Sequence, residues 1–436
     1  MASQPSASPA AGRNANAITR FIGWLDDRVP LTETFEYHMS KYHAPKNFNF
    51  FYYFGVLSIV VLVNQLLTGI WLTMTYVPSD TAAFASVEYT MRDVELGWLI
   101  RYLHSTGASA FFAVVYLHMF RGLLYGSYQK PRELIWIIGM AIFLALMAEG
   151  FFGYLLPWGN MSYWAAQVIV SLFGSIPIIG SGLEEWIRGD FLISGITLNR
   201  FFALHVVALP LILVMLVFLH IVALHHVGSN NPEGIDIKKH KDENGVPLDS
   251  IAFHPYYTIG HDLPAIVVFL MVFCGVVFFF PDMGGYFLEK PNFELANPVK
   301  TPEHISPVWY YTPFYAMLRA ATFPFLGLDA KFWGFVVMAG ALVLPIVLPW
   351  LDHSPVKSMR YKGRASKWML VLFIISFLIL GYLGTIKPSN GATLLAQICT
   401  IGYFAYFVLM PWYTRAEKTK PVPDRIGSPA SHGDAR

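Results

Sequence analysis

The chain has 436 residues, 55% of them hydrophobic and only 13% charged, with a mean hydropathy of +0.48. Such a composition excludes a water-soluble domain and points to a polytopic membrane protein. The balance of 30 Lys and Arg against 28 Asp and Glu leaves no excess of positive charge for binding nucleic acid. Cys274 and Cys399 lie in apolar stretches outside any CxxC or CxxCH pattern. Disulfides, Cys-ligated clusters and covalently attached haem are therefore not expected.

The opening "MASQPSASPAAGRNANAITR" is polar, has no apolar h-region and reads as a disordered leader rather than a signal peptide. Residues 18–46 mix apolar and charged positions, as in an amphipathic surface helix followed by a loop, so 1–46 form a polar N-terminal region. Apolar stretches then predict eight spans near 48–76, 97–124, 134–156, 198–227, 263–281, 332–351, 367–386 and 391–412. Residues 158–196 are too interrupted to cross and predict short surface helices. Residues 229–262 read as a polar loop, 282–331 as a long Pro-rich connection, and 416–436 as a disordered tail. The expected fold is all-α, with a four-helix bundle over 47–228 and a second helical part over 263–415. Of the 30 Lys and Arg, 21 fall on the leader, alternate loops and the tail. The positive-inside rule then places both termini in the cytoplasm.

The second and fourth spans each carry two histidines, His104 and His118, then His205 and His220, spaced 14 and 15 residues apart. Fourteen residues of helix rise about 21 Å and return to within about 40° of the same face. Set face to face, the two spans make two imidazole pairs, His104 with His205 near the outer surface and His118 with His220 near the cytoplasmic one. Imidazoles arranged two and two suit haem iron held axially rather than a metal needing three or four protein ligands. Pro210 lies between the second pair and could kink the helix to absorb its extra residue. Gly55 and Gly69, again 14 apart, with Gly107, Gly122 and Gly153, offer room for a flat macrocycle. Arg101, Arg121 and Arg200 lie near the histidines on the side of the nearer surface, where propionates would sit. Two rival readings share some of these features: a haem-b membrane anchor of another quinone-linked dehydrogenase, and a non-haem transporter using histidines as a proton relay.

The motifs "RYLHSTGAS", "RGLLYGSY", "GYLLPWGNMSYWAAQVI", "TLNRFFALH", "GSNNPEG", "HPYYTI" and "PVWYYTPFYAMLRA" closely resemble cytochrome b of the cytochrome bc complex, the ubiquinol:cytochrome c oxidoreductase. The resemblance runs from about residue 40 to 415, and the PVWY form is similar to that of beta- and gamma-proteobacteria. It implies two non-covalent b-type haems, outer low-potential and inner high-potential, and ubiquinone as substrate. It also implies a Rieske iron–sulfur protein and a cytochrome c-type subunit as partners, a homodimeric complex, and a place in the bacterial inner membrane. Ser127 and Asn230 resemble part of the inner haem shell.

The resemblance implies an outer quinol site at Phe152, Tyr154, Pro157, Gly159, Trp164, Val168, Pro307, Val308, Trp309 and Tyr310. It implies an inner quinone site at His225, Ser229 and Asp262. The chain departs from the family at two points. Val308 stands where the commonest form has a glutamate that accepts a proton, and His261 stands where a lysine usually precedes the aspartate. Glu149, four residues before Gly153 on the same helical face, and Glu303, four before Pro307, are the candidate replacements for the missing acid.

Overall fold

The computed structural model describes residues 16–37 and 41–428. Most of the expected leader, residues 1–15, lies outside these. The helix Ala17–Asp26 starts at Asn16, whose side chain accepts from the Thr19 amide. Its apolar residues Ile18, Phe21, Ile22 and Trp24 are all exposed, as suits a helix lying on lipid.

Eight helices among the described residues are long and apolar enough to cross a membrane. They are Phe50–Thr73, Gly97–Tyr125, Glu133–Leu155, Gly195–Val227, Phe253–Phe279, Ala330–Leu351, Arg364–Thr385 and Asn390–Val408. The chain is a multi-span membrane protein of all-α architecture. Without water, a spanning segment must satisfy its own backbone, which is why each apolar stretch closes into a helix. Between the third and fourth spans, Asn160–Phe173 and Gly180–Arg188 are the short helices expected over 158–196.

One boundary differs. The fifth span begins at Phe253 rather than 263, with a wide turn over Phe253–Asp262 in which the Leu263 amide reaches back to the Thr258 carbonyl. Pro264 has no amide to donate, so the turn before it can widen without losing a bond. His261 and Asp262 thus lie on the entry of a helix and not in a polar loop.

In the N-terminal half the first span packs on the second, and the third on the fourth. The fifth leans on the first and second. In the C-terminal half, Thr312–Ala320 packs against the last three spans. The two halves join through a buried network in which Tyr128 (2.7 Å), Gln129 (2.6 Å) and Lys362 all donate to Asp352 Oδ2.

The segment before the first span and the segment after the last meet at the loop before the fifth span. His43–Pro45 pairs antiparallel with Ser250–Ala252. Asp249 accepts from Lys46 Nζ at 2.9 Å and from Arg425 Nη2 at 3.1 Å. The expected disordered tail is therefore ordered as far as Ser428: Glu417 accepts from Ser366 Oγ (2.6 Å), and the Lys420 amide donates to the Tyr361 carbonyl (2.8 Å). Composition predicted disorder for this polar segment, but its charges find partners on loops distant in sequence.

Candidate functional site

The fourth span is not a regular helix. Over Leu204–Ala208 it opens into a π turn, with the Leu209 amide bonded to the Leu204 carbonyl five residues back. Pro210 follows at once and cannot donate to the carbonyl four residues before it, which favours the wider pattern. A π turn holds one extra residue. The 15-residue spacing of His205 and His220 is thereby brought back to the phase of the 14-residue spacing on the second span. The extra residue is absorbed here by the bulge, and not by a simple proline kink.

The four histidines meet as the spacing predicts. The ring centroids of His104 and His205 are 6.1 Å apart, and those of His118 and His220 are 6.3 Å apart. With a metal–imidazole bond of about 2 Å, two axial rings on one metal would have centroids roughly 6 Å apart. Among the described residues, no three of His, Cys, Asp or Glu converge as a metal site. Two-ligand, axial binding is what each pair can offer.

Neighbouring groups orient the outer rings. Thr68 Oγ1 donates to the Asn64 carbonyl at 2.6 Å and so accepts from His104 Nδ1 at 2.9 Å. His205 Nδ1 donates to the Glu149 carbonyl at 3.0 Å and lies 3.0 Å from the Glu149 carboxylate. With Nδ1 engaged, Nε2 is the nitrogen each ring can give to a metal.

Each histidine is backed by a glycine. A Cβ on Gly69 would lie 3.2 Å from His104 Cε1, and one on Gly55 would lie 3.4 Å from His118 Cε1. A Cβ on Gly139 would lie 3.2 Å from His220 Cε1, and one on Gly153 would press into the His205 ring. The first span thus backs the histidines of the second, and the third backs those of the fourth. The nearest group that needs the space is the imidazole. Gly107 and Gly122 serve helix packing instead. Gly107 makes room for Asn64 and Gln65, whose side chains donate to the Leu103 and His104 carbonyls. Gly122 faces Trp136.

The arginines separate in the same way. Arg101 lines the outer cavity. Arg121 lies over the Tyr52 ring at 5.0 Å, and its buried Nε has no hydrogen-bond partner among the described residues. An unsatisfied guanidinium nitrogen beside the inner histidines suits an anionic propionate. Arg200 is turned away and donates to the Trp186 carbonyl at 2.6 Å. The residues present therefore fit a haem at each pair: Arg101 and Arg121 would be free to meet its propionates, whereas Arg200 is bonded to Trp186.

The outer pair opens into a cavity of about 480 Å3 with mostly apolar walls. It brings together Gly69, Arg101, His104, Glu149, Gly153, Tyr154, Pro157, His205, Val308 and Tyr310. Other expected outer-site residues are absent from its lining. The Phe152 ring packs on Phe201, at 4.5 Å between centroids. Trp164 Nε1 donates to the Asn297 carbonyl at 3.1 Å, and Trp309 Nε1 to Ser109 Oγ at 3.1 Å. Gly159 allows Asn292 to approach, and Val168 and Pro307 accept from Ser171 and Ser306 through their carbonyls. Of the two candidate acids, Glu149 has Oε1 3.0 Å from His205 Nδ1, and its buried Oε2 has no hydrogen-bond partner among the described residues. Glu303 is exposed and paired with Lys387 at 3.0 Å, which holds its carboxyl below the ordinary value.

On the opposite face, the His225 and Tyr42 rings lie 4.5 Å apart, and Tyr42 shares a 3.1 Å hydrogen bond with Ser229. Tyr53 and His261 share another at 3.2 Å. Phe253 and Tyr257 connect the two sides, ring to ring. Asp262 follows His261 at the mouth of the fifth span. Asn230 donates to the Tyr125 carbonyl (2.7 Å) and to Ser127 Oγ (3.4 Å), which ties two loops above the inner histidines.

Sequence reasoning missed Gly139, Thr68, Tyr42 and Glu289. Gly139 was legible, because it lies 14 residues before Gly153 just as Gly55 lies 14 before Gly69. The others carry no periodic signal.

Comparison with known proteins agrees with this geometry. A family model described as Cytochrome b/b6/petB matches residues 39–228, and one described as Cytochrome b(C-terminal)/b6/petD matches 295–404. Cytochrome b of Allochromatium vinosum is 60% identical over 94% of this chain and 99% of its own length. Cytochrome b of Rhodospirillum rubrum is 45% identical over 94% of this chain and 96% of its own length. A chain of a hyperthermophilic respiratory complex III superposes with a TM-score of 0.82 at 38% identity, over 91% of this chain and 99% of that one. The paired histidines, the eight spans and these matches over nearly the whole length agree that the chain belongs to the cytochrome b family, the haem-b electron-transfer proteins of respiratory membranes.

Proposed function

We propose that the chain is the quinone-binding, electron-transferring subunit of a ubiquinol:cytochrome c oxidoreductase in a bacterial inner membrane, with both termini cytoplasmic. Ubiquinol is oxidised in the cavity at the His104–His205 end. One electron leaves to a Rieske iron–sulfur protein and on to a cytochrome c-type subunit. The other crosses the membrane, and quinone is reduced at the His118–His220 end. The complex is a homodimer. Bound haem b supplies a one-electron carrier at each histidine pair.

The protein's own residues do the rest. Thr68 and the Glu149 carbonyl hold the outer imidazoles in one tautomer. Arg101 and Arg121 provide fixed positive charge for haem propionates. The apolar cavity walls exclude water from the redox path. At the inner face, His225 and Asp262 flank the quinone and deliver protons from the cytoplasm, with Ser229 and His261 beside them. Uptake on one face and release on the other makes the reaction proton-translocating.

The observation that carries this reading is the pair of imidazole pairs, separated along the helices by about 21 Å, with a ligand-sized cavity joined to one of them. A reduced-minus-oxidised spectrum of the purified complex should show two b-type components of different potential. His118→Asn should remove one of them and stop electron transfer to the inner quinone. A colourless protein, or a variant that keeps both components, would refute the reading.

A further inference from the structure

Val308 leaves the outer cavity without the acid that would take a proton from a quinol. Val308 is buried, with 4% of its surface exposed, and it cannot accept a hydrogen bond. Besides the two histidines, the cavity wall carries five ionisable side chains, Tyr76, Arg101, Glu149, Tyr154 and Tyr310. Tyr76 donates to the Leu156 carbonyl at 2.6 Å. Arg101 is a cation, and Glu149, though its Oε2 has no partner among the described residues, holds Oε1 3.0 Å from Nδ1 of the His205 ring and has no link to the outer aqueous side comparable to the Tyr154 contact. The Tyr154 hydroxyl is not left to solvent. It donates to Glu289 Oε2 at 2.7 Å.

Glu289 lies in the Pro-rich connection that folds over the outer end of the bundle. Its neighbours Phe287 and Leu288 line the same cavity. Tyr154 and Tyr310 are the titratable groups facing it, and Lys290, next in sequence, is exposed. Burial pushes the Glu289 carboxyl up to about 7. Near neutral pH such a group can both take up and release a proton.

We propose that Glu289, acting through the Tyr154 hydroxyl, accepts a quinol proton in place of the carboxylate that position 308 lacks. This rests on the cavity being the quinol-oxidising site. The quinol O–H gives its proton to Tyr154 Oη as Tyr154 passes its own to Glu289 Oε2. The first electron leaves to the iron–sulfur partner together with the other quinol proton, and the second leaves to the one-electron carrier that the outer histidine pair would hold. Glu289 then releases the proton to the outer aqueous phase. Glu289 does not touch the substrate in this scheme; it sets where the proton goes.

The test uses the intact complex with its iron–sulfur and c-type subunits, ubiquinol as substrate and the inner site blocked. The parent should show a limb near pH 7 in its rate of quinol oxidation. Glu289→Gln should lower the rate by roughly a hundredfold and abolish that limb, leaving both b-type spectra and potentials in place. Glu289→Asp should restore the limb at shifted pH, and Val308→Glu added to Glu289→Gln should restore the rate. A Glu289→Gln complex with the parental rate and pH profile overturns the proposal. Should that variant not assemble, Tyr154→Phe reads the same relay, and a parental pH limb in it is equally fatal. Absence of quinol oxidation in the parent would instead sink the reading of the cavity.

Discussion

Gly153→Ala is the sharpest test of the histidine–glycine arrangement. A Cβ at 153 would lie 2.9 Å from His205 Nδ1 and 3.0 Å from Nε2, and nearer still to Cε1. Ordinary contact begins at 3.4 Å, so the ring must withdraw by at least 0.5 Å. A metal–ligand bond tolerates a change of only about 0.2 Å. Withdrawal also strains the 3.0 Å hydrogen bond from Nδ1 to the Glu149 carbonyl. Overpacking costs about 1–3 kcal/mol and the lost hydrogen bond about 1 kcal/mol. Together these weaken haem retention at the outer pair by roughly 30- to 700-fold. The other three positions make a graded control. Gly69→Ala and Gly139→Ala meet their rings at 3.2 Å and should be mild, and Gly55→Ala at 3.4 Å should be near neutral. The assay is the amplitude of the two b-type components in reduced-minus-oxidised spectra, resolved by redox titration. Gly153→Ala should lose the outer component and keep the inner one. Full amplitude and unchanged potentials in Gly153→Ala, or equal damage from Gly55→Ala, would refute the reasoning.

Three further outcomes follow from other parts of the structure. Asp262→Asn should block reoxidation of the inner component by added quinone while reduction of the outer one continues; stopped-flow absorbance shows both. Lys362→Met leaves Asp352 charged and buried, because both side chains are almost wholly enclosed, so thermal unfolding should show a loss of about 3–5 kcal/mol. For Asp249, burial would raise the carboxyl, but hydrogen bonds from Arg425 and Lys46 outweigh it and hold it at about 2. Since the folded value is depressed, the tail contact is present above the ordinary aspartate value of about 3.9 and is lost as pH falls through about 2. Labels on the tail and on the 229–252 loop should stay close at pH 5 in the parent and separate at pH 5 in Arg425→Ala.

Much of the site was legible because the bilayer constrains it. Backbone that crosses lipid must satisfy its own hydrogen bonds, and a run of about 20 apolar residues does so as a helix, so such runs identify spans, and helical phase turns a 14-residue spacing into a shared face. Histidines within such runs are costly unless they serve a purpose. The pairing of His104 with His205 and of His118 with His220 therefore needed no coordinates. The fifth span's early start was less visible, since "FHPYYTIGHD" reads as polar and Pro-broken and its wide turn depends on neighbours.

What the amino-acid sequence determined by itself was the all-α membrane fold, the four histidines and the departure at Val308. The tertiary structure alone decided which groups stand beside them. Gly107 and Gly122 turn to helix packing, and Arg200 turns to Trp186 while Arg121 is left facing the inner pair. Glu149 sets one carboxylate oxygen beside His205, and Glu289 meets Tyr154 across 135 residues of chain. The physical reason is one of range. Periodicity and hydropathy report on a residue's own helix and its depth in the membrane. A hydrogen bond between distant loops depends on how the helices pack, and no local pattern records it.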